Sequence, residues 1–202
     1  MIPALDWIPT DGGGWARLIA VLAGAYGLGC VNPAYYMARW KAGVDIRETG
    51  SGNAGATNAG RLLGRFGFLT VFLLDLAKGS VAVAVARFTG LAPEWEVAAG
   101  WTAMAGHVWP VQLRFRGGKG IATSLGAMLA EDPTAVLVLV AALGPALWIF
   151  RRFVLSGLLA FATVPLVLVW LEPGRLGAVA SGGAACIVWW THRRDARQLW
   201  RE

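Results

Sequence analysis

Long apolar runs fill most of this chain, and they restrict its fold more than any other feature. Seven of them lie at about 15–38, 66–90, 95–112, 115–131, 134–150, 153–171 and 175–190. About 20 apolar residues in a helix span the hydrocarbon core of a bilayer. Charged residues make up only 15% of the sequence, against about 25% in a typical soluble domain. We therefore predict an all-α integral membrane protein with seven transmembrane helices, in a single domain covering residues 1–202.

The fourth run differs from the others because it opens on the polar sequence FRGGKG, at residues 115–120. Only the segment that follows, IATSLGAMLA, is plainly helical. Irregular backbone at membrane depth is tolerated only where protein or water surrounds it. We therefore expect a glycine-rich loop that dips into the protein and leads into one short helix.

The basic residues indicate how the helices are oriented. In the segments that connect the predicted spans, with the polar opening of the fourth run and Arg175 at the start of the last counted as connections, 14 Lys and Arg residues lie on one predicted side of the membrane and only Arg175 lies on the other. Cytoplasmic segments of membrane proteins carry the excess of Lys and Arg. We expect the N-terminus outside the cell, and the C-terminus and both glycine-rich segments in the cytoplasm. This distribution accounts for the net charge of +6 without nucleic acid as a partner.

The first glycine-rich segment, TGSGNAGATNAGR at residues 49–61, has the features of an anion site. It contains the G-x-G-x-x-G spacing, but no strand precedes it, which argues against a dinucleotide-binding fold. Glycines let backbone N–H groups converge on an anion, and Asn53 is a candidate N-cap for a helix whose positive end faces the same point. Further donors are the side chains of Ser51, Thr57, Asn58, Arg47 and Arg61. The alternative is a tight turn that only caps a membrane helix.

The second glycine-rich segment, GHVWPVQLRFRGGKGIATS at residues 106–124, opens a helix on a Gly-Gly-Lys-Gly turn. Such a turn offers backbone N–H groups, the helix dipole and an ammonium group to one anion. Lys119 is followed by Gly120 and not by Ser or Thr, so the segment is not a Walker A loop. Glycine is required at Gly118 if the turn needs a positive φ there. The alternative for Lys119 is a simple anchor at the cytoplasmic face.

One charged pair and both cysteines lie well inside the apolar runs. Asp75 and Lys78 lie three residues apart on one helix face, and charges inside a membrane indicate a functional site by default. The alternative is an ion pair that joins helices and needs no substrate. Cys30 and Cys186 lie in the first and last runs, where we expect small, buried, reduced side chains without a chemical role.

Taken together, these segments resemble a known family. The elements GVDIRETGSGNAGATNAGR, DLAKG (75–79) and GHVWPVQLRFRGGKGIAT are similar in order and spacing to those of the PlsY-type acyl-phosphate:glycerol-3-phosphate acyltransferases. That family has a GSGN-x-GATN segment and a GH-x-x-PV…F-x-GGKG-x-AT segment on the cytoplasmic side of a seven-helix fold. The resemblance covers residues 45–125, while the tail THRRDARQLWRE matches the family's third element in part, with Asp195 at an Asn position.

The resemblance implies the first step of phospholipid synthesis, at the bacterial plasma (inner) membrane. A fatty acyl group would pass from an acyl phosphate to the sn-1 hydroxyl of glycerol 3-phosphate, giving lysophosphatidic acid and phosphate. It implies no cofactor and no metal, and its partners are the two substrates and membrane lipids. By position, the implied catalytic residues are His107, Lys119 and Asn53. The implied substrate-binding residues are Arg47, Ser51, Gly52, Thr57, Asn58, Arg61, Gly117, Gly118, Gly120, Thr123, Ser156 and His192.

The chemistry of an acyl phosphate fits these residues. It is an activated mixed anhydride, so the protein has to hold two anions together, orient the hydroxyl and stabilise an oxyanion. Neither histidine has an Asp five positions on, so the H-x4-D motif of acyl-CoA-dependent acyltransferases is absent. Because a phosphoryl oxygen of the donor can accept the hydroxyl proton, we expect His107 to orient a substrate or the loop by a hydrogen bond. A general base and a purely structural residue are the alternatives.

Two other functions fit a basic cytoplasmic face. One is a membrane carrier or channel for phosphorylated metabolites, although the outer loops offer no matching anion site and no inverted repeat is visible. The other is a catalytically silent subunit of an assembly, which does not need both anion segments intact. Acyl transfer by the purified protein in detergent would distinguish all three functions.

Overall fold

The computed structural model describes residues 8–171 and 176–199, with side chains up to residue 193. Arg175 and the basic side chains of the tail beyond residue 193, which contribute to the predicted orientation, therefore lie outside the described part, as does the side chain of Asp195. Short 3₁₀ helices lie at Ile46–Glu48 and Val111–Leu113, and the other elements are α-helices. These are α1 (Gly12–Cys30), α2 (Pro33–Ala42), α3 (Ala56–Phe88), α4 (Pro93–Val108), α5 (Ile121–Glu131), α6 (Pro133–Phe150), α7 (Phe153–Leu171) and α8 (Leu176–Leu199). The all-α prediction is confirmed.

The first apolar run is broken into two helices, whereas the sequence predicted one continuous run over 15–38. The Asn32 side chain caps α2 by accepting a hydrogen bond from the Tyr35 N–H at 2.8 Å, and Pro33 occupies the first position of that helix. Proline fits the first turn of a helix but breaks its interior, because it has no N–H to donate. The chain therefore ends α1 at Cys30 and starts again. Counted with α2 as one segment, α1 is the first of seven helical segments, the number predicted.

Four described segments are long and apolar enough to cross a membrane: Gly12–Ala42, Ala56–Phe88, Pro133–Phe150 and Phe153–Leu171. Within the second of these, a kink at Gly64 separates the first two turns of α3 from the predicted run at 66–90. α4 has 16 residues and α5 has 11, fewer than the roughly 20 that a straight span needs. α5 is thus the short helix that was predicted to follow the glycine-rich loop.

Small residues let the central helices pack at close range. A methyl group on Gly79 of α3 would collide with the Thr123 carbonyl oxygen of α5, and small residues at such crossings are typical of membrane helices. At the C-terminal end of α3, the Arg87 guanidinium donates to the Ala130 carbonyl oxygen near the C-terminal end of α5, at 2.9 Å. α3 and α5 therefore run in the same direction, and the two glycine-rich loops that precede them lie at the same end of the bundle.

The outer surface of the bundle is apolar, as expected where lipid is the solvent. Trp40, Trp148 and Trp170 are each about 80% exposed or more. Cys30 is buried as predicted, but Cys186 is exposed on α8, so the prediction of a buried Cys186 is wrong. A small apolar side chain in a membrane helix can face lipid as readily as protein.

Candidate active site

Asn58, in the first turn of α3, holds the first glycine-rich loop in place. Its Oδ1 accepts a hydrogen bond from the Ser51 N–H at 3.1 Å, and its Nδ2 donates to the carbonyl oxygens of Ile46 (3.0 Å) and Thr49 (2.9 Å). The side chain is buried. Asn58 therefore shapes the loop with three hydrogen bonds from one amide group.

Arg47 links the first loop to the second. Its guanidinium pairs with the Asp45 carboxylate at 2.6 Å and donates to the Leu113 carbonyl oxygen, also at 2.6 Å. The hydrogen bond from Arg47 is the main reason that the pKa of Asp45 falls to about 2. The guanidinium also lies over the Tyr35 ring, 5.2 Å from its centre. Arg47 thus fixes the spacing of the two loops, whatever else it binds.

The start of α3 differs from the prediction. Asn53 is not the N-cap: the helix begins at Ala56, its N-cap is Gly55, and within the described part of the chain no side chain caps it. The preceding backbone is held from the other side, because Asn32 Nδ2 donates to the Ala54 carbonyl oxygen at 3.0 Å. The backbone N–H groups of the first turn are thus left without a side-chain acceptor, and this arrangement favours an anion.

The second loop, Trp109–Gly120, is folded by its own backbone. The N–H groups of Gly117 and Gly118 donate to the carbonyl oxygens of Val108 and His107, both at 3.1 Å. The condition considered for Gly118, a positive φ, is not met; of the glycines in this turn, Gly120 has that conformation, with a φ of 87°. Gly118 is required for another reason, because a methyl group there would collide with Nε2 of His107.

The N-terminus of α5 lies directly beyond this loop. Its N-cap is Gly120, so this helix also begins without a side-chain cap. Thr123, in its first turn, is fully buried, and its Oγ1 has no hydrogen-bond partner among the described residues. Lys119 is half-buried, and its carbonyl oxygen accepts a hydrogen bond from Thr191 Oγ1 of α8 at 3.0 Å. α8 therefore holds the backbone that carries the lysine.

His107 lies between the second loop and a buried charge cluster. Its Nδ1 is 2.7 Å from Lys78 Nζ and 3.3 Å from Asp75 Oδ1, and these two groups form an ion pair at 2.7 Å. All three side chains are buried. The predicted pair of Asp75 and Lys78 is thus present, but it also reaches a predicted catalytic residue.

The remaining predicted residues lie on or beside the first loop, on α8 and on α7. Ser51, Gly52 and Thr57 are on or next to the first loop, and Arg61 lies beside Gly50 of that loop. His192 follows Thr191 on α8; it is buried, with Nδ1 2.9 Å from the Val188 carbonyl oxygen. Ser156 is on α7, which packs against α6 and α8, and its buried Oγ has no partner among the described residues.

Sequence reasoning missed three residues that organise the site: Asn32, Asp45 and Gln112. Asn32-Pro33 carries a recognisable signal, since an Asn before Pro is typical of a helix start. Asp45 stands two residues before Arg47, close enough for a local ion pair. Gln112, which donates to the Cys30 carbonyl oxygen, carries no local signal because its partner is 82 residues away.

Two helix N-termini without a side-chain cap among the described residues lie at one end of the bundle, and the segments that lead into them are joined by Arg47, so the arrangement can bind two anions. Each offers free N–H groups and the positive end of a helix dipole. Lys119 adds a positive charge at one of them, and the His107 ring lies against the same loop. This geometry suits a reaction between two phosphorylated molecules.

Comparison with known proteins agrees with this geometry. The family model described as "Glycerol-3-phosphate acyltransferase" matches residues 19–202. A glycerol-3-phosphate acyltransferase of Parasynechococcus marenigrum is 38% identical over 181 residues, which cover 90% of this chain and 85% of that protein. One from Halalkalibacterium halodurans is 40% identical over 194 residues, covering 92% of this chain and 91% of that protein.

Solved structures match as well. The crystal structure of PlsY, an integral membrane glycerol 3-phosphate acyltransferase, in its glycerol 3-phosphate form has a TM-score of 0.82 and 29% sequence identity. The match covers 91% of this chain and 92% of that chain. The lysophosphatidic acid form has a TM-score of 0.79 and 28% identity over the same shares of the two chains. The integral membrane fold expected from the sequence is therefore confirmed.

Proposed function

The chain belongs to the glycerol-3-phosphate acyltransferase family, and on that premise we propose that its acyl donor is an acyl phosphate and its acceptor the sn-1 hydroxyl of glycerol 3-phosphate. The products are lysophosphatidic acid and inorganic phosphate. The solved PlsY structures are a glycerol 3-phosphate form and a lysophosphatidic acid form, which supports this acceptor and this product.

One observation carries the choice of donor: the N-termini of α3 and α5 have no side-chain cap among the described residues, and the segments that lead into them are joined by the hydrogen bond from Arg47 to the Leu113 carbonyl oxygen. An acyl phosphate and glycerol 3-phosphate each bring one phosphate group. Two adjacent anion sites hold both molecules with their reacting groups between them, and such positioning accounts for a large part of the rate of a transfer reaction.

The reaction needs little more than positioning. The sn-1 hydroxyl oxygen attacks the acyl carbonyl carbon, a new C–O bond forms, and the C–O bond to the phosphate breaks. The phosphate leaves, and one of its oxygens takes the hydroxyl proton. Backbone N–H groups of the loops and the Lys119 ammonium stabilise the negative charge that builds up on the carbonyl oxygen.

The residues divide by location. Lys119 and Asn53 contact the reacting groups, and His107 orients a substrate by a hydrogen bond from the second loop. Thr123 Oγ1, buried and without a partner among the described residues, donates to a phosphate at the start of α5. The other substrate-binding residues are Arg47, Ser51, Gly52, Thr57, Asn58, Arg61, Gly117, Gly118, Gly120, Ser156 and His192.

The test is acyl transfer by the purified protein in detergent, with radiolabelled glycerol 3-phosphate. We expect lysophosphatidic acid from palmitoyl phosphate without added metal or ATP, and little or none from palmitoyl-CoA. Preference for palmitoyl-CoA would contradict the proposed donor. Absence of transfer from either donor would favour the carrier or the silent subunit, because transport has no meaning in detergent.

We also propose that this site faces the cytoplasm of a bacterial inner membrane, with the N-terminus outside. The basic residues around both loops support this orientation, and the acidic Glu94 and Glu96 lie at the start of α4, at the other end of the bundle. In a variant with Cys186 replaced by Ser, Glu94→Cys should react with an impermeant thiol reagent in intact cells. Lys41→Cys should react only after permeabilisation, and the reverse pattern would contradict the orientation.

A further inference from the structure

The ammonium group of Lys78 has three N–H bonds, and three hydrogen-bond acceptors surround it. These are the carbonyl oxygens of Gly29 (3.2 Å) and Val31 (3.0 Å) and Nδ1 of His107 (2.7 Å). Asp75 Oδ1 lies 2.7 Å from Nζ but forms no hydrogen bond with any residue that the structure describes, so it balances the charge as an ion pair. Carbonyl oxygens can only accept, so Lys78 donates to both of them and directs its third proton at Nδ1.

The position of that proton fixes the chemistry of the imidazole ring. A ring nitrogen that accepts a hydrogen bond carries no proton, so His107 is a neutral ring with its proton on Nε2. The Nε2 edge faces the second loop, because a methyl group on Gly118 would collide with that atom. The edge of His107 that faces the loop is therefore an N–H donor.

We propose that Asp75 and Lys78 are positioning residues, which hold His107 in its Nε2–H form so that it presents a hydrogen-bond donor, and not a base, at the second loop. Lys78 selects the tautomer by donating to Nδ1, and Asp75 keeps the buried ammonium charged. The identity of the substrate that receives this hydrogen bond rests on the proposed function. The tautomer itself is a property of the protein alone.

Histidine-selective ¹⁵N NMR of the purified protein in detergent tests the tautomer directly, because the chain has only 2 histidines. The second one provides an internal reference: His192 Nδ1 is 2.9 Å from the Val188 carbonyl oxygen, so that nitrogen must carry a proton. At pH 7 we expect an unprotonated Nδ1 for His107 and a protonated Nδ1 for His192. A His192→Gln variant assigns the signals, and a protonated Nδ1 on His107 would overturn the proposal.

Lys78→Met tests which group selects the tautomer. Without the ammonium donor, Nδ1 of His107 should become protonated and donate to Asp75, and kcat/KM should fall about tenfold, as for the loss of one hydrogen bond. An unchanged Nδ1 signal in this variant would overturn the role of Lys78. If the single variant does not fold, Asp75→Asn with Lys78→Met removes both charges together. In that double variant we expect His107 to be a mixture of its Nδ1–H and Nε2–H tautomers, and a single Nε2–H form would contradict the proposal.

A matched control separates positioning from support of α1. Gln112 Nε2 donates to the Cys30 carbonyl oxygen, at the same helix end that Lys78 contacts, and Gln112→Leu removes that bond without touching His107. The His107 signals should stay unchanged in this variant, and a change like that in Lys78→Met would reduce Lys78 to a structural role. If wild-type protein fails to use palmitoyl phosphate, the proposed function fails but the NMR result still decides this proposal.

Discussion

The two glycine-rich loops lie at the same end of the bundle, but they are held differently. The first loop is held mainly by side chains that reach into it, chiefly those of Asn58 and Asn32. The second is folded by its own backbone, through hydrogen bonds of Gly117 and Gly118 and close contact of Gly118 with His107, and the side chains of Arg47 and Thr191 bind two of its carbonyl oxygens. Removing the Asn58 side chain should therefore break the first loop, and adding a methyl group at Gly118 should break the second.

The two loops keep their backbone N–H groups available for an anion in different ways. A side-chain tie can hold a carbonyl oxygen, as Asn32 does with Ala54, and leave the neighbouring N–H groups free. A glycine contact instead brings backbone against a ring with no side chain between them. Both loops thus end on a helix without a side-chain cap, at Gly55 and Gly120.

Gly118→Ala should have the largest effect. The added methyl group collides with His107 Nε2, and displacing a site by about 1 Å can cost about a hundredfold in rate. We expect a loss of that order in kcat/KM, measured with palmitoyl phosphate. Gly144→Ala is the matched control, because nothing lies within 4 Å of a methyl group there, and its activity should be normal. Equal activity of the two variants would show that the close contact between Gly118 and His107 is not needed for activity.

Lys119→Ala should remove a positive charge from the second loop without moving its backbone. Its backbone carbonyl oxygen keeps the hydrogen bond from Thr191, so the backbone of the loop should keep its position. The lost charge-assisted contact with a phosphate costs about 1.5–3 kcal/mol, or roughly one to two decades in kcat/KM. Normal kinetics would mean that the lysine is only an anchor at the membrane face.

Asn58→Ala should break the first loop by removing atoms. Three buried hydrogen bonds are lost together, and the groups left unsatisfied lower the free energy of unfolding by about 1–3 kcal/mol. We expect a lower Tm in detergent and about a tenfold fall in kcat/KM, the cost of one weakened phosphate contact. Ser51→Ala is the control, since only its backbone N–H takes part, and its Tm should match wild type. An equal Tm for Asn58→Ala would show that the loop does not depend on this amide.

The ion pair of Asp45 and Arg47, just before the first loop, should have the smallest effect on stability, and only in acid. Because Arg47 lowers the pKa of Asp45 from its ordinary 3.8 to about 2, the pair stabilises the fold fully above about pH 4. That contribution, about 1 kcal/mol for a partly exposed pair, is lost as the pH falls towards 2. Between pH 5 and pH 2, the free energy of unfolding should fall less in the Asp45→Asn variant than in wild type. Equal losses would mean that the pair adds no stability.

The sequence predicted the elements of this site better than its connections. Hydrophobic runs located the helices, and glycine patterns located both loops, because these signals are local. The break before Pro33 was also a local signal, but the apolar run around it concealed the break. Gln112 bonding to Cys30 and Lys78 reaching His107 join distant parts of the chain, so only the packing of α1, α3 and α4 reveals them.

The central claim is that the two loops bind two phosphorylated molecules at the same time. Equilibrium binding of radiolabelled glycerol 3-phosphate tests it, with and without a saturating non-hydrolysable phosphonate analogue of palmitoyl phosphate. We expect one glycerol 3-phosphate bound per chain in both conditions, because each anion would have its own helix N-terminus. Displacement of glycerol 3-phosphate by the analogue would contradict it, since the loops would then form a single anion site.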